Sequence, residues 1–428
     1  MAPFIILSLF AALAIGMPVG IALATIGMGG IALSVGPGAM MGIIETIPLS
    51  VTHSYELITI PMFILMAELI VVSGVAERLF EAVSIWVGRI RGGLAVATAL
   101  AGAGFGAISG SSTAAAAALS STSIPAMMRA GYDPKFSCGV VAVSGTLAML
   151  IPPSLALVLY GIIAEVSIAR LLIAGIIPGI IVTLAIILTV QFLLWRDPSL
   201  APASNPRRMA DKIRAMAEIW PMLLLLFMVT GVIYLGIATP TEASGLGAAG
   251  ALLITVMKGK LNWSTFSDAM SRTLRASCMI LLIVVGAKIF GVVLTLTQIT
   301  QTFVATVSGW DTSPYVVLSM IILVYLIMGC FMDQVATLIL TVPITVPVIL
   351  ALGFDPVWFG VIVVVTAEIG MITPPLGLNA FIVSRYAKRP LGEVFSGLWP
   401  HIIAHLIVIA VLVIFPQLVM WLPNTTAN

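Results

Sequence analysis

The sequence predicts an all-α polytopic membrane protein made of two inverted-topology repeats, each carrying a re-entrant helical hairpin and a broken helix. Three observations predict it: very little charge, a duplication held at one constant offset, and paired Pro-Pro interruptions inside apolar runs. Of 428 residues, 61% are hydrophobic and 8% charged, whereas a soluble domain carries about 25% charged residues. So few charges cannot coat a water-facing surface, which makes the lipid bilayer the expected solvent and first partner. Backbone groups in hydrocarbon must be satisfied within their own segment, and a spanning helix takes about 20 apolar residues. The long runs of Leu, Ile, Ala and Gly therefore read as helices, not as the short alternating strands of a barrel. The apolar run from Pro3 to Val35 lacks a basic leader and a small-residue cleavage site, so it reads as mature protein. Cys138, Cys278 and Cys330 lie far apart in apolar stretches and read as packing thiols. No nucleic-acid partner is expected.

The duplication is visible in the residues that fix backbone geometry. GYDP at Gly131–Pro134 recurs as GFDP at Gly353–Pro356, an offset of 222. The same offset pairs Pro152-Pro153 with Pro374-Pro375, Met149 with Met371, Pro125 with Pro347, Pro18 with Pro240, and Gly175-x-x-Pro178 with Gly397-x-x-Pro400. Coincident breakers mean coincident turns. The repeats are placed at 1–195 and 218–422, with a cytoplasmic linker at 196–217 and a tail at 423–428.

In the first repeat, helices are expected near 3–16, 18–35 and 55–73, then an arm at 74–92, a hairpin at 93–128, a broken helix at 137–165 and a helix at 168–195. The second repeat reads as 218–237, 240–257 and 276–297, an arm at 298–313, a hairpin at 314–350, a broken helix at 356–387 and a last helix at 399–422. The first arm, VAERLFEAVSIWVGRIRGG, places Leu79, Phe80, Val83, Trp86 and Val87 on one helical face, as suits a segment lying flat at the membrane surface. Five crossings per repeat is an odd number, which inverts the second copy relative to the first. Charge supports this independently. With the linker (Arg196, Arg207, Arg208, Lys212, Arg214) in the cytoplasm, all but two of the 19 Lys and Arg fall inside, Arg89 included. The exceptions are Arg170, outside, and Lys288, within a span. Both termini then face the periplasm.

Each hairpin has a polar tip. In the first it is Ser109, Gly110, Ser111, Ser112 and Thr113; in the second, Asp333 and Gln334 take the places of Ser111 and Ser112. Each hairpin pairs with a break, SGTLAMLIPPS (Ser144–Ser154) or AEIGMITPPLGLN (Ala367–Asn379). Pro-Pro removes two backbone donors, and the carbonyls it frees are hard oxygen ligands for Na⁺; hydroxyls and one carboxylate would complete a shell. Helix N-termini at the tips and after the breaks favour an anionic solute. The bland alternative is that the kinks serve packing alone.

Ionisable residues inside spans are candidate sites. Asp333 reads as a cation ligand. Glu368 reads as a ligand, a carrier in proton or ion coupling, or a structural partner of a nearby hydroxyl. Lys288 either attracts a solute carboxylate or pairs with Glu68, the second being favoured. Glu242 is read as interfacial. His401 and His405, four apart on a helix, are expected to face a partner or lipid headgroups and not a metal.

These residues resemble the large membrane subunit of TRAP (tripartite ATP-independent periplasmic) transporters, the DctM-like M subunit, through GMPVGIAL, SGSSTA, LIPPS, ATPTEASGLGA and EIGMITPPLGLN, over essentially the whole chain. The resemblance implies an elevator-type ion-transporter superfold in the bacterial inner membrane. It implies Na⁺-driven import of a small organic acid such as a dicarboxylate, sialic acid or keto acid, and no enzyme activity. It further implies a small four-helix membrane subunit and a periplasmic substrate-binding protein as partners. Sodium sites transferred by motif fall on Ser109, Gly110, Ser111 and Ser112 with Gly145, Met149 and Pro152, and on Asp333 with Gly370, Thr373 and Leu376. The solute would lie between the tips, near Ser112, Thr113, Gln334 and Asn379, with Lys288 as a further contact. Three readings compete with it: a stand-alone Na⁺/anion symporter, a passive channel, and an intramembrane enzyme. HExxH, GxSxG and paired catalytic aspartates are all missing from the sequence, which leaves the last remote.

Overall fold

The structure, a computed structural model, describes residues 2–88, 90–202, 209–309 and 312–425. Expectations for Arg89, Arg207, Arg208, residues 310–311 of the second arm and residues 426–428 of the tail lie outside the described residues. The first half runs α1 (Ala2–Ala14), α2 (Val19–Val35), α3 (Pro37–Thr52), α4 (Thr59–Ser73), α5 (Val75–Val87), α6 (Gly93–Ser109), α7 (Ser112–Arg129), α8 (Pro134–Thr146), α9 (Leu155–Ala164) and α10 (Ile168–Arg196). The second runs α11 (Met209–Tyr234), α12 (Pro240–Met257), α13 (Trp263–Leu296), α14 (Ile299–Ser308), α15 (Pro314–Phe331), α16 (Gln334–Ala351), α17 (Pro356–Gly370), α18 (Leu378–Ala387), α19 (Leu391–Ile414) and α20 (Gln417–Thr425). Among the described residues every regular element is helical, and seven helices are long and apolar enough to cross a membrane.

The GYDP and GFDP motifs are helix punctuation. Gly131 and Gly353 adopt φ of 83° and 80°, the left-handed conformation that closes a helix at the residue past its cap. Asp133 and Asp355 then cap α8 and α17, accepting backbone N–H groups at 2.8 Å and 2.7 Å, and each motif's proline sits in the first helical turn. The helices so started are the most enclosed in the protein: every residue of Phe136–Thr146 and of Val357–Gly370 is buried.

The halves pack by making the same contacts twice. Helix α2 lies on α13 and, in the equivalent contact, α12 lies on α4, each joining one half to the other. Gly20, Gly27 and Gly30 let α2 approach Ile283, Ile289 and Val293 of α13, the close backbone packing on which membrane helices rely. Toward the centre, α7 packs on α18 and α16 on α9. The returning helix of each hairpin thus lies on the post-break helix of the other half, and the polar tip of each half is carried toward the opposite break.

Helix α11 begins at Met209, inside the expected linker and not near 218, and the structure departs further from the sequence reading in three elements. Residues 36–54, to which the sequence reading assigns no helix, contain α3, started by Gly36 at φ 95° and by Pro37 in the first turn. Helix α13 begins at Trp263 and not near 276, because Asn262 and Thr265 form a reciprocal cap. The segment 399–422 is two helices, α19 and α20, parted at Phe415-Pro416, where proline denies the next turn its donor.

Candidate ion and solute site

The first tip is built from hydroxyls on a left-handed turn. Helix α6 ends at Ser109, Gly110 turns at φ 54°, and Ser111 caps α7 by accepting the Ala114 N–H at 3.3 Å while sharing a 3.2 Å hydrogen bond with the Thr113 hydroxyl. Ser112 is fully buried, and its hydroxyl accepts a hydrogen bond from Asn379 Nδ2 at 2.7 Å. A Cβ on Gly110 would sit 2.9 Å from Leu155 Cγ, so the tip rests on the first turn of α9.

Below it, α8 tightens into a 3-10 turn at Leu147–Met149 and stops at Pro152-Pro153, which are joined by a cis peptide bond. Ser154 restarts the chain as α9: its oxygen accepts the Leu157 N–H at 3.2 Å, and its hydroxyl donates to the Met149 carbonyl. The Met149 N–H is also engaged, donating to Glu368 Oε1 across the interface at 3.1 Å. Gly145 allows α8 to meet α7, since a Cβ there would lie 2.9 Å from the Ala116 Cβ.

The second tip has the same plan and different chemistry. Asp333 is exposed and caps α16, its Oδ1 accepting the Ala336 N–H at 2.7 Å. Gln334 is fully buried, and its Nε2 donates to the Val364 carbonyl at 3.0 Å. The break follows Gly370: Thr373 donates to the Ile369 carbonyl at 2.6 Å, Pro374-Pro375 is cis, and Leu376 is exposed. Gly377, at φ 58°, donates from N–H to the Cys330 carbonyl at 3.4 Å, tying break to tip within the half. Gly370 is required by packing, because a Cβ there would stand 2.6 Å from Gly329 Cα.

Two buried oxygens in this region, Gln334 Oε1 and Asn379 Oδ1, have no hydrogen-bond partner among the described residues. A buried amide oxygen without a partner costs about 1–3 kcal/mol, a cost that a water, a cation or a donor from solute would each relieve. The available donor set of carbonyls, hydroxyls, amide oxygens and one carboxylate is hard and suits an alkali cation. Among the described residues no group of three His, Cys, Asp or Glu gathers for a transition metal.

Four readings need correcting. Lys288 does not pair with Glu68; it pairs with Glu165 at 2.6 Å, and Glu68 pairs with Arg272 at 2.6 Å. Lys288 therefore sits in a separate cavity with Ser50, Ser54, Glu56, Glu165 and Ser167, its charge already answered, and no tip residue lines that cavity. His401 and His405 do not face a partner or headgroups: α19 turns both inward, to 0% and 1% exposure. Cys138 and Cys330 are buried, but Cys278 is exposed on α13 and is not a packing thiol. Sequence reasoning missed the Asn379–Ser112 and Glu368–Met149 bonds. The signals present were a carboxylate and an amide placed just before and just after a helix break.

Symmetric broken helices with facing hairpin tips, in an all-helical membrane fold, define a secondary-transporter architecture. The chain belongs to the family described as "Tripartite ATP-independent periplasmic transporter, DctM component", whose pattern matches residues 6–418. It is 35% identical over 374 residues to the C4-dicarboxylate TRAP transporter large permease protein DctM of Pseudomonas aeruginosa, covering 87% of each chain. It is 33% identical over 427 residues to the ectoine TRAP transporter large permease protein TeaC of Halomonas elongata, covering 99% of each. It is 31% identical over 410 residues to the sialic acid TRAP transporter large permease protein SiaM of Vibrio cholerae, covering 96% of this chain and 95% of that one. Among solved structures, the YdaH transporter of Alcanivorax borkumensis, described as having an unusual topology, superposes with a TM-score of 0.67 at 16% identity, covering 95% of this chain and 97% of that one; that likeness concerns the fold. The chain is thus a large permease subunit of the inner membrane and not an enzyme.

Proposed function

We propose that this permease imports a small organic-acid anion by Na⁺ symport, with an elevator movement of the hairpin and broken-helix core against the scaffold of α2, α4, α12 and α13. The solute would be handed over by a periplasmic binding protein, and a small four-helix membrane subunit would complete the complex; both termini would be periplasmic. The observation that carries the reading is the mutual placement of tips and breaks, with Ser112 held by Asn379, and with Asn379 Oδ1 and Gln334 Oε1 buried without a hydrogen-bond partner among the described residues. One cation would rest on Ser109–Ser112 with Gly145, Met149 and Pro152. A second would rest on Asp333 with Gly370, Thr373 and Leu376. The solute would lie near Ser112, Thr113, Gln334 and Asn379.

The relatives are named for C4-dicarboxylate, sialic acid and ectoine, so cargo is decided by a panel and not by analogy. The test is uptake into proteoliposomes holding this chain with its small subunit and binding protein. Uptake is expected to need an inward Na⁺ gradient, to proceed without ATP, and to stop when the binding protein is left out. Uptake that persists without the binding protein supports the stand-alone symporter instead, and single-channel currents overturn both.

A further inference from the structure

The two candidate cation pockets are held in different ways. The second is tied together inside its own half, by Gln334 to the Val364 carbonyl and by Gly377 to the Cys330 carbonyl. The first is pinned on both of its walls by side chains of the other half: Asn379 reaches the tip at Ser112, and Glu368 reaches the break at Met149. The residues equivalent to these two in the first half, 222 positions earlier, are Leu157 and Thr146. Neither reaches across: Leu157 is apolar, and the Thr146 hydroxyl donates to the Val143 carbonyl of its own helix at 2.7 Å.

Of the two ties, the one through Glu368 uses an ionisable side chain. It is 2% exposed, and among the described residues no other Asp, Glu, Lys or Arg is buried. Burying a carboxyl group is costly unless it gains a specific partner, and the partner it has is the Met149 N–H. That amide lies in the 3-10 turn directly before Pro152-Pro153, and the carbonyl of the same residue receives the Ser154 hydroxyl. Holding the Met149 amide fixes the plane of the Ala148–Met149 peptide and with it the direction of the Ala148 carbonyl, in a turn that packs on α6 and α7, the helices on either side of the first tip.

We propose that Glu368 is a positioning residue. By fixing the Met149 amide, it lets the second half set the cation affinity of the first-half pocket. This rests on the Na⁺ reading above. It needs no proton carried by Glu368, since a glutamine oxygen can accept the same N–H.

The test uses the full complex with two variants. Glu368→Gln keeps an acceptor and drops the charge, while Glu368→Thr installs the residue that the first half carries at this position. Backbone hydrogen exchange across 147–151 is measured without Na⁺, and the Na⁺ half-saturation and pH profile of uptake are measured alongside. Glu368→Thr is expected to speed exchange and raise Na⁺ half-saturation roughly fivefold, the factor one ordinary hydrogen bond supports. Glu368→Gln is expected to keep exchange, pH profile and half-saturation within about twofold of the parent, as expected where the net worth of the bond is retained. Equal shifts in both variants, or unchanged exchange in Glu368→Thr, overturn the proposal. If Glu368→Thr does not fold, Glu368→Gln decides: a roughly fivefold rise or a lost pH dependence in that variant overturns it. A parent whose uptake ignores replacement of Na⁺ by choline sinks the sodium reading alone, and the exchange data still decide whether Glu368 holds the break.

Discussion

The two halves carry one blueprint and spend their polar residues differently. The first half has three serines and a threonine at its tip, no acidic group there, and both walls of its pocket are held from outside. The second half has Asp333 and Gln334 at its tip and closes on itself. The scaffold is asymmetric as well: α13 is one helix of 34 residues, whereas the matching stretch of the first half is cut at His53-Ser54 into α3 and α4. Duplication therefore fixed the backbone of both pockets and left their chemistry free to diverge. Under the proposed Na⁺ reading, a tip with its own carboxylate would hold a cation from its own half, whereas a tip of hydroxyls and carbonyls would depend on how well those dipoles are aimed.

The sharpest way to break this comparison is at Asp333. Asp333→Ser keeps a helix cap and removes the carboxylate, so stability is expected to stay within about 1 kcal/mol of the parent. Na⁺-driven uptake is expected to fall at least roughly a hundredfold, because a carboxylate beside a cation in a partly desolvated site is worth a few kcal/mol. Uptake assays paired with thermal melts check it, and uptake near parental levels would remove Asp333 from the cation shell. The next largest effect is on packing. Gly370→Ala drives a Cβ to 2.6 Å from the Gly329 backbone, an overpacking that costs about 1–3 kcal/mol. Gly145→Ala meets the Ala116 methyl at 2.9 Å and is expected to cost less. Melting temperatures in Na⁺-free buffer rank the two, and a reversed order would show that the first break is the tighter.

Much of this architecture was legible because prolines and glycines act locally. Gly131, Asp133 and Pro134 end one helix and start the next wherever they stand, so their recurrence at Gly353, Asp355 and Pro356 exposes both the duplication and its turns. The tips were legible for the same reason, since small polar residues between apolar runs have few other uses at that depth. Side-chain partners were not legible. Lys288 and Glu165 are 123 residues apart, and Glu368 and Met149 are 219 apart; no local rule links them. Burial of His401 and His405 was hidden because hydrophobic periodicity fails in lipid. Leu188 of α10 is 67% exposed and Leu194 on the same helix 2%, yet both are leucine, because the bilayer and the protein interior ask for the same residue. Helix α3 escaped because Gly38, Gly42 and Pro48 carry low helix propensity, although the segment stays helical.

A smaller effect tests whether the halves can be made alike. Asn379→Leu gives the second half the residue found at Leu157, deleting the bond to Ser112 while filling similar volume. One neutral hydrogen bond is worth about 1 kcal/mol, so half-saturation for solute or Na⁺ is expected to rise roughly fivefold with little loss of expression. Ser112→Ala removes the same bond from the other side. The two changes together are expected to cost less than their sum, as coupled partners do. Strict additivity would mean that Asn379 acts on the solute and not through the first tip.

The smallest effect is expected at Lys288, where the structure and the sequence reading part most clearly. Its side chain is 41% exposed and that of Glu165 75%, and pairs this open are worth about 0–1 kcal/mol. The cavity around them, about 430 Å³, also contains Glu56, so its formal charge is net negative and does not attract an anion. Lys288→Ala is therefore expected to leave solute half-saturation within about twofold, and Glu165→Ala to do the same, each within the range of an exposed pair. Were Lys288 instead a contact for the solute carboxylate, the two variants would separate. Removing the lysine would weaken binding by roughly tenfold or more, while removing Glu165 would free the ammonium and tighten it. Opposite signs in that pair of measurements would return Lys288 to the solute site; small shifts of one sign would leave it as a link between α13 and the end of α9.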